Sequence, residues 1–164
     1  MSFPVLPPDA LDRELVFEFF WKFSAFECAL KRAHYLTERE WAEADWARFA
    51  KKGKFNSPKF KAGASELIKL APKKQMTKSE GGERSIRWDE AGRRDETDKD
   101  FALNLLRIIR NNLFHGGKYP DGPIEEIARN KKILQVAVGL IDECYALNAD
   151  ISKHVDSWIE ELAA

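Results

Sequence analysis

The sequence has few of the residues that mark a secreted, membrane-spanning or β-rich protein. Its 164 residues include only two cysteines, Cys28 and Cys144, which fit reduced core positions better than a disulfide framework. Its most apolar segment, residues 16–26, is interrupted by polar residues and is too short to span a bilayer. β-Branched residues never alternate over a useful length, so strands are not expected. The N-terminus lacks a basic region followed by an apolar run, so we expect no signal peptide and a cytoplasmic protein.

The formal net charge is zero, which argues against a general nucleic-acid coat protein. Residues 51–94 nevertheless carry 13 Lys/Arg against 5 Asp/Glu, whereas the rest of the chain is acidic. This basic segment indicates a local anionic partner, and Lys73, Lys74, Arg93 and Arg94 are its candidate RNA-binding residues. The competing interpretation of such a composition is a solvated loop.

Apolar residues recur with helical spacing over most of the chain. The pattern predicts six helices, over residues 10–34, 38–51, 58–70, 97–114, 124–147 and 152–162. The remaining segment at 72–95 has loop composition, and we expect a basic, loop-rich insertion at about 53–95 within a single domain of residues 1–164. The predicted fold class is all-α, an antiparallel bundle of four to six helices. Because the first helix carries aromatic residues on more than one face, we also expect a homodimer that buries part of this surface.

The most informative segment is residues 107–118, RIIRNNLFHGGK, at the end of the predicted fourth helix. Arg110 supplies a planar fork that matches phosphate oxygens. His115 titrates near neutrality and can act as a base or an acid, and Asn111 can bind the same anion or orient the histidine. Such a set can cleave RNA without a metal, because a base can take the ribose 2′-hydroxyl proton while an arginine stabilises the charge that develops at the phosphate.

The same residues also have a purely structural interpretation. Arg110 and His115 are five positions apart, which puts them about 140° apart on an ideal helix. An arginine near a helix C-terminus stabilises the helix dipole, and a histidine before glycine can cap the helix. On the first helix, Glu27, Lys31 and Arg32 are interpreted as a surface ion-pair row, with a reach into the site as the alternative. A helical scaffold without activity is therefore the competing hypothesis.

Residues 110–115, Arg-Asn-Asn-Leu-Phe-His, resemble the Arg-x(4–6)-His motif of the HEPN superfamily. Asn111 fills the place of the polar residue that typically follows the arginine in that family. The family fold is a small antiparallel helical bundle with the motif at the end of a late core helix. Many members are metal-independent endoribonucleases of toxin–antitoxin, abortive-infection and CRISPR systems, and they usually dimerise so that two motifs share one cleft.

The resemblance implies that Arg110, Asn111 and His115 form the catalytic site of a metal-independent endoribonuclease. The implied partners are RNA, a second copy of the chain and an antitoxin or another defence-system protein, with no membrane. No cofactor is expected, and no metal site either, since the sequence has no Cys/His/Asp cluster at ligand spacing. The alternative is a non-catalytic HEPN-like module that binds a nucleotide or a protein. The resemblance does not extend to the segment at 53–95.

Overall fold

The structure is a computed structural model that describes residues 12–93, 95–114 and 124–163. Within these ranges the chain is mostly helical, with six helices and one small antiparallel sheet. In chain order the elements are α1 (Arg13–Arg32), α2 (Trp46–Lys52), α3 (Pro58–Leu70), β1 (Lys73–Glu80), β2 (Glu83–Glu90), α4 (Asp98–Phe114), α5 (Ile124–Leu147) and α6 (Ala149–Ala163). The predicted positions of the third, fourth and fifth helices are thereby confirmed.

Short polar side chains begin four of the helices. Asp12, Asp45 and Ser57 each accept a hydrogen bond from the backbone N–H three residues on, at 3.2, 2.8 and 2.9 Å, at the starts of α1, α2 and α3. Before α4, the hydroxyl of Thr97 accepts from the N–H of Asp100 at 3.3 Å and donates to the Asp100 carboxylate at 2.6 Å. Each cap satisfies an N–H that the helix leaves unpaired and stabilises the fold by about 1 kcal/mol.

Aromatic packing makes α1 a central element of the bundle. Phe23 stacks on Trp46 of α2 with 5.3 Å between ring centroids, and Phe26 meets Phe49 edge-on at 5.5 Å. These four rings are buried, and burying a large apolar side chain contributes about 2–3 kcal/mol. Further along, α5 packs against α1 and α3, and α3 also packs against α4. The buried core thus draws on α1 to α5, and Ile151 extends it into α6.

The prediction of a second helix over 38–51 is wrong in its first half. Leu36 and Ala44 form an isolated antiparallel bridge, and the N–H of Asp45 donates to a carbonyl before that bridge at 2.8 Å. These backbone groups are paired with each other in a loop, so they are not available for the hydrogen bonds of a longer helix. Trp41, an apolar residue within the predicted helix, is 62% exposed and lies outside the core.

The expectation that the chain has no strands is wrong, and so is the loop assigned to 72–95, so the fold is not purely all-α. The two strands β1 and β2 pair along their full length, with Lys73 opposite Glu90 at the base of the hairpin. Gly81 and Gly82 form the turn with φ angles of 58° and 88°, a region that favours glycine. Because the ribbon is largely exposed on both faces, its side chains are mostly polar and give no period-two hydrophobic signal.

Candidate active site at the end of α4

Arg110 lies in the last turns of α4, and its guanidinium is held in place from several sides. Its Nη2 donates to Oε2 of Glu27 on α1 at 3.2 Å, and its Nη1 donates to Oδ1 of Asn111 at 2.9 Å. The guanidinium carbon also lies 5.6 Å from the ring centroid of Phe23 and 5.4 Å from that of Phe114. Ion pairing, amide contact and two cation–π contacts together fix the direction of this side chain.

The geometry leaves Arg110 able to meet an anion. The guanidinium has five N–H donors, and its two described hydrogen bonds use two of them. Its side chain is 36% exposed, so part of the planar fork faces solvent. The side-chain oxygen of Asn111 accepts a hydrogen bond from Arg110, so Asn111 helps to hold the guanidinium in position.

Glu27 is the residue of this site that the interpretation of the sequence undervalued. Its side chain is 22% exposed and reaches across from α1 to the guanidinium, so it is not part of a surface ion-pair row. Arg32, which was grouped with it, lies 3.9 Å from Glu161 of α6 instead. Nothing in the sequence distinguishes Glu27 from Glu14 and Glu18, the other two carboxylates of α1.

His115 lies outside the described residues, as do the two glycines that follow it. The described part of α4 ends at Phe114, directly before it. The placement of the histidine relative to Arg110, and its role as base, therefore stay predictions.

Asn112 is a buried polar residue on the apolar face of α4 that the sequence interpretation did not single out. It is 4% exposed, and its Nδ2 donates to the carbonyl oxygen of Lys73 at 2.7 Å. This hydrogen bond ties the last turns of α4 to the base of the hairpin. The signal that could have identified it is a polar side chain one turn after Ile108 and Ile109 on a stripe that is otherwise apolar.

Three of the four candidate RNA-binding residues lie in the described ranges, and two of them, Lys74 and Arg93, line one cavity of about 430 Å³. Lys73 and Lys74 are neighbours on β1, so they project to opposite faces of the ribbon. Arg93 donates to the carbonyl oxygen of Glu96 from Nε and Nη2, at 3.1 and 2.9 Å, and forms an ion pair with Asp98 at 2.6 Å. Arg93 therefore holds the segment just before α4 against the first turn of that helix. Arg94 lies outside the described residues.

The positive charge of the middle segment is concentrated elsewhere, at the corner between α2 and α3. Five exposed lysines lie there, and we call them the basic corner: Lys51, Lys52, Lys54, Lys59 and Lys61. None of them forms an ion pair with an acidic residue in the described ranges. Buried Asn148 anchors this corner, since its Oδ1 accepts from the N–H of Lys54 at 2.8 Å and its Nδ2 donates to the Lys54 carbonyl at 3.2 Å.

A cavity of about 390 Å³ lies beside Arg110, where the start of α1 meets the end of α4. Its walls are almost entirely apolar, and we call it the apolar cavity. It is lined by Arg13, Val16, Phe17, Phe19, Phe20, Leu113 and Phe114. Phe17 is 68% exposed and Phe114 is 55% exposed, which is unusual for side chains of this size. Exposed aromatic groups that line one concave surface mark a place where another molecule binds.

Other chemistry has little support in the described residues. No group of three His, Cys, Asp or Glu side chains in these ranges is placed to hold a metal ion. Burial raises the pKa of the Cys144 thiol well above its usual range, so this cysteine stays protonated and is not a nucleophile. No helix in the described part of the chain is long and apolar enough to cross a membrane.

At this end of α4 the structure places Arg110 beside Asn111 and Glu27. Comparisons of the chain with protein-family models, with curated proteins and with solved structures give no significant match.

Proposed function

We propose that this protein is a HEPN-like, metal-independent endoribonuclease that cleaves RNA by attack of the ribose 2′-hydroxyl. We further propose that it acts in a toxin–antitoxin or anti-phage defence system. The observation that carries the proposal is the partly exposed side chain of Arg110, whose guanidinium is held at the end of α4 by Glu27 and Asn111. A fixed cation with unused donors suits a phosphate whose negative charge grows in the transition state.

In the proposed reaction His115 takes the proton from the 2′-hydroxyl, and the freed oxygen attacks the adjacent phosphorus. The bond from phosphorus to the 5′-oxygen then breaks, and that oxygen receives a proton. Arg110 stabilises the negative charge on the non-bridging oxygens throughout, and Asn111 holds the guanidinium in place. The products are a 2′,3′-cyclic phosphate and a 5′-hydroxyl, and no metal takes part in any step.

Cleavage of a labelled single-stranded RNA in the presence of EDTA tests the proposal. Arg110→Ala and His115→Ala should each reduce the rate by about a hundredfold or more, since each removes a contribution the other cannot supply. Arg39→Ala and His154→Ala are the matched controls, because they remove the same residue types away from the site, and they should cleave at the wild-type rate. Circular dichroism should show the same helix content for all five proteins.

Two results would contradict the proposal. Wild-type protein that leaves RNA intact, with no inhibitor bound, shows that the motif is not catalytic. A His115→Ala protein that cleaves as fast as the wild type shows that the activity comes from another site or from a contaminant.

The exposed aromatic residues of α1 and α4 support a homodimer as the active form. We propose that a second copy covers Phe17 and Phe114 at the rim of the apolar cavity, next to Arg110. Phe17→Asp should then sediment as a monomer at tens of micromolar, because a buried charge without a partner opposes association. Trp41→Asp is the control, since Trp41 is similarly exposed but lies in the loop before α2. A wild-type protein that is itself monomeric at this concentration would reject the dimer.

The non-catalytic binding module is the second candidate, and one observation favours it. Arg110 already has a carboxylate partner in Glu27, and the cavity beside it is lined by aromatic rings, which suits an apolar ligand or a protein segment better than a phosphate. Under this alternative the wild type binds a partner through the apolar cavity and leaves RNA uncut. The cleavage assay separates the two candidates.

A further inference from the structure

The two faces of the β1–β2 hairpin have different surroundings. Residues directly opposite each other in an antiparallel pair have their side chains on the same face. Lys74 lies opposite Asp89, and both line the cavity of about 430 Å³ together with Asn104 and Ile108 of α4. We call the face of Lys74 and Asp89 the inner face. The alternate residues lie on the opposite side of the ribbon, which we call the outer face: Lys73, Gln75, Thr77 and Ser79 of β1 with Arg84, Ile86, Trp88 and Glu90 of β2.

The outer face exposes two large apolar side chains next to each other. Trp88 is 36% exposed and Ile86 is 68% exposed. Because they are two positions apart on β2, they are neighbours on this face, and Gln75 and Thr77 lie opposite them. The indole of Trp88 has no ring contact and no cation–π contact with any other described residue. Exposed apolar side chains that share one surface mark a place where another molecule binds.

The inner face has no net charge, and two of its cations already have partners. Nη2 of Arg87 lies 2.8 Å from Oδ2 of Asp89, and Nζ of Lys78 lies 2.6 Å from Oε1 of Glu80. The three basic residues of this face are balanced by three acidic ones. The inner face therefore has little attraction for a charged partner.

The outer face, in contrast, carries an unpaired cation. Arg84 is exposed and forms no ion pair or hydrogen bond with another described residue. The one acidic residue of this face is Glu90, at the base of the ribbon opposite Lys73, and six positions along the strand separate it from Arg84 by about 20 Å. Glu83, the neighbour of Arg84 in sequence, projects to the inner face. An anionic group can therefore reach Arg84 without meeting a carboxylate of the same face.

The dimensions of the outer face limit the class of partner. Two strands of eight residues give a surface about 26 Å long and about 10 Å wide, or about 250 Å². A stable protein–protein interface buries about 800 Å² on each partner, so this face alone is too small for one. A single strand of nucleic acid is narrow enough for the ribbon. It also offers a π-face to an aromatic ring and a phosphate to an arginine.

We propose that the outer face of the hairpin binds single-stranded RNA, with a base stacked on Trp88 and a phosphate on Arg84. The two residues are four positions apart on β2, which is about 13 Å, so they contact different nucleotides of one strand. Gln75 lies opposite Trp88 and presents an amide to the edge of the stacked base. Stacking and phosphate contacts are available to every base, so binding tolerates changes of sequence.

The base of the hairpin is attached at the same end of α4 as the candidate active site. Nδ2 of Asn112 donates to the carbonyl oxygen of Lys73 at 2.7 Å, and Asn112 follows Arg110 by two positions. A strand that lies along the outer face therefore runs towards this end of α4. The role of the hairpin in holding a substrate rests on the proposed function, whereas the binding of RNA to the outer face does not.

Fluorescence anisotropy with a labelled 2′-O-methyl oligouridine tests the inference. This probe has no free 2′-hydroxyl, so the proposed chemistry cannot cut it. Trp88→Ala should weaken binding about tenfold, the usual weight of one base–aromatic stack, and Trp88→Phe should retain most of the affinity because a ring remains. Met76→Ala is the control, since Met76 is apolar and 38% exposed but lies on the inner face, and it should bind like the wild type.

Two arginines of β2 provide a matched pair that does not depend on the apolar residues. Arg84→Gln should reduce the slope of log affinity against log salt concentration by about 0.7, the value for one lost phosphate contact on a single strand. Arg87→Gln removes the same charge from the inner face, where Asp89 already pairs with it, and should leave the slope unchanged. Equal effects of the two variants would show that the ribbon attracts RNA only through its general charge and would contradict the inference.

Three other results would overturn the inference. The first is wild-type protein that does not bind the probe at a hundred micromolar. The second is a Trp88→Ala protein that binds like the wild type. The third comes from sedimentation: if Trp88→Ala converts a dimer into a monomer, the outer face is a contact between two copies of the chain. Amide hydrogen exchange in the hairpin of Trp88→Ala shows whether the ribbon is intact, and the two arginine variants decide the outcome if it is not.

Cleavage of unmodified RNA separates this inference from the proposed function. If the protein binds the probe through Trp88 but leaves RNA uncut, the proposed function fails and the RNA-binding face stands. If the protein cleaves RNA, but Trp88→Ala changes neither the binding of the probe nor the KM for cleavage, the RNA-binding face fails and the proposed function stands.

Discussion

The ion pair between Glu27 and Arg110 permits a quantitative test of how the candidate site is built. The Nη2 and Oε2 atoms are 3.2 Å apart. Coulomb attraction at this distance is roughly 1 kcal/mol in bulk water and roughly 5 kcal/mol at an effective dielectric constant of about 20. The side chains are 36% and 22% exposed, so desolvation and side-chain ordering offset most of that attraction. We expect a coupling free energy of about 1 kcal/mol, at the upper end for partly exposed pairs.

A double-mutant cycle with Glu27→Gln and Arg110→Gln measures this coupling from urea unfolding curves of the four proteins. The pair of Glu66 and Lys132 is a matched control, because its atoms are 3.0 Å apart but its side chains are 46% and 51% exposed. Solvent screening should reduce the coupling of the control pair to about 0.3 kcal/mol. A coupling for Glu27 and Arg110 that is no larger than the control value would refute the claim that Glu27 positions the guanidinium.

The other predictions concern the basic corner, the helix caps and the hairpin. Asn148→Ala should lower the free energy of unfolding by about 2 kcal/mol in urea titrations, because the N–H of Lys54 loses its acceptor. The hydrogen bonds from Lys131 and from the backbone of Leu15 lower the pKa of Asp12, so the stability difference between wild type and Asp12→Ala should be present at neutral pH and should disappear as the pH falls below about 3.8. Gly82→Ala should weaken amide hydrogen-exchange protection in the hairpin by about 1 kcal/mol and leave the bundle unchanged, since φ is 88° there. Neutralising the basic corner should flatten the salt dependence of RNA binding by about 0.7 log units per lost phosphate contact, more than neutralising the four candidate RNA-binding residues does.

The helix positions could be predicted where the capping residues and the spacing of the core residues indicate the same boundaries. Ser57 and Pro58 start α3, and the acidic Asp98 and Asp100 lie in the first turn of α4, as capping and the helix dipole favour. The second helix was not predictable from spacing alone. Trp41 has the spacing of a core residue, but the bridge before α2 removes it from the core, and only tertiary contacts determine this outcome.

The hairpin was not predicted because its signal in the sequence is the turn and not a hydrophobic periodicity of the strands. Gly81 and Gly82 are a two-residue turn signal flanked by segments of equal length, and this signal was available. The strands themselves are mostly polar on both faces, since the ribbon packs on little besides α4 through β1. A ribbon exposed on both sides has no need for alternating apolar residues.

The candidate site was predictable in part. Arg110 and Asn111 could be singled out from their residue types and order, but the partner of the arginine could not, because Glu27 is distant in sequence and looks like an ordinary surface acid.

The most direct test of the central claim is the chemistry of the cut itself. An RNA oligonucleotide is incubated with the protein in EDTA, beside an otherwise identical oligonucleotide that carries a single 2′-deoxyribose at the cleavage position, and the products are analysed by mass spectrometry. The account predicts a 2′,3′-cyclic phosphate and a 5′-hydroxyl from the all-ribose strand and no cut at the deoxy position, because the nucleophile is the 2′-hydroxyl of the substrate. Cleavage at the deoxy position, or products that end in a 5′-phosphate, would contradict it.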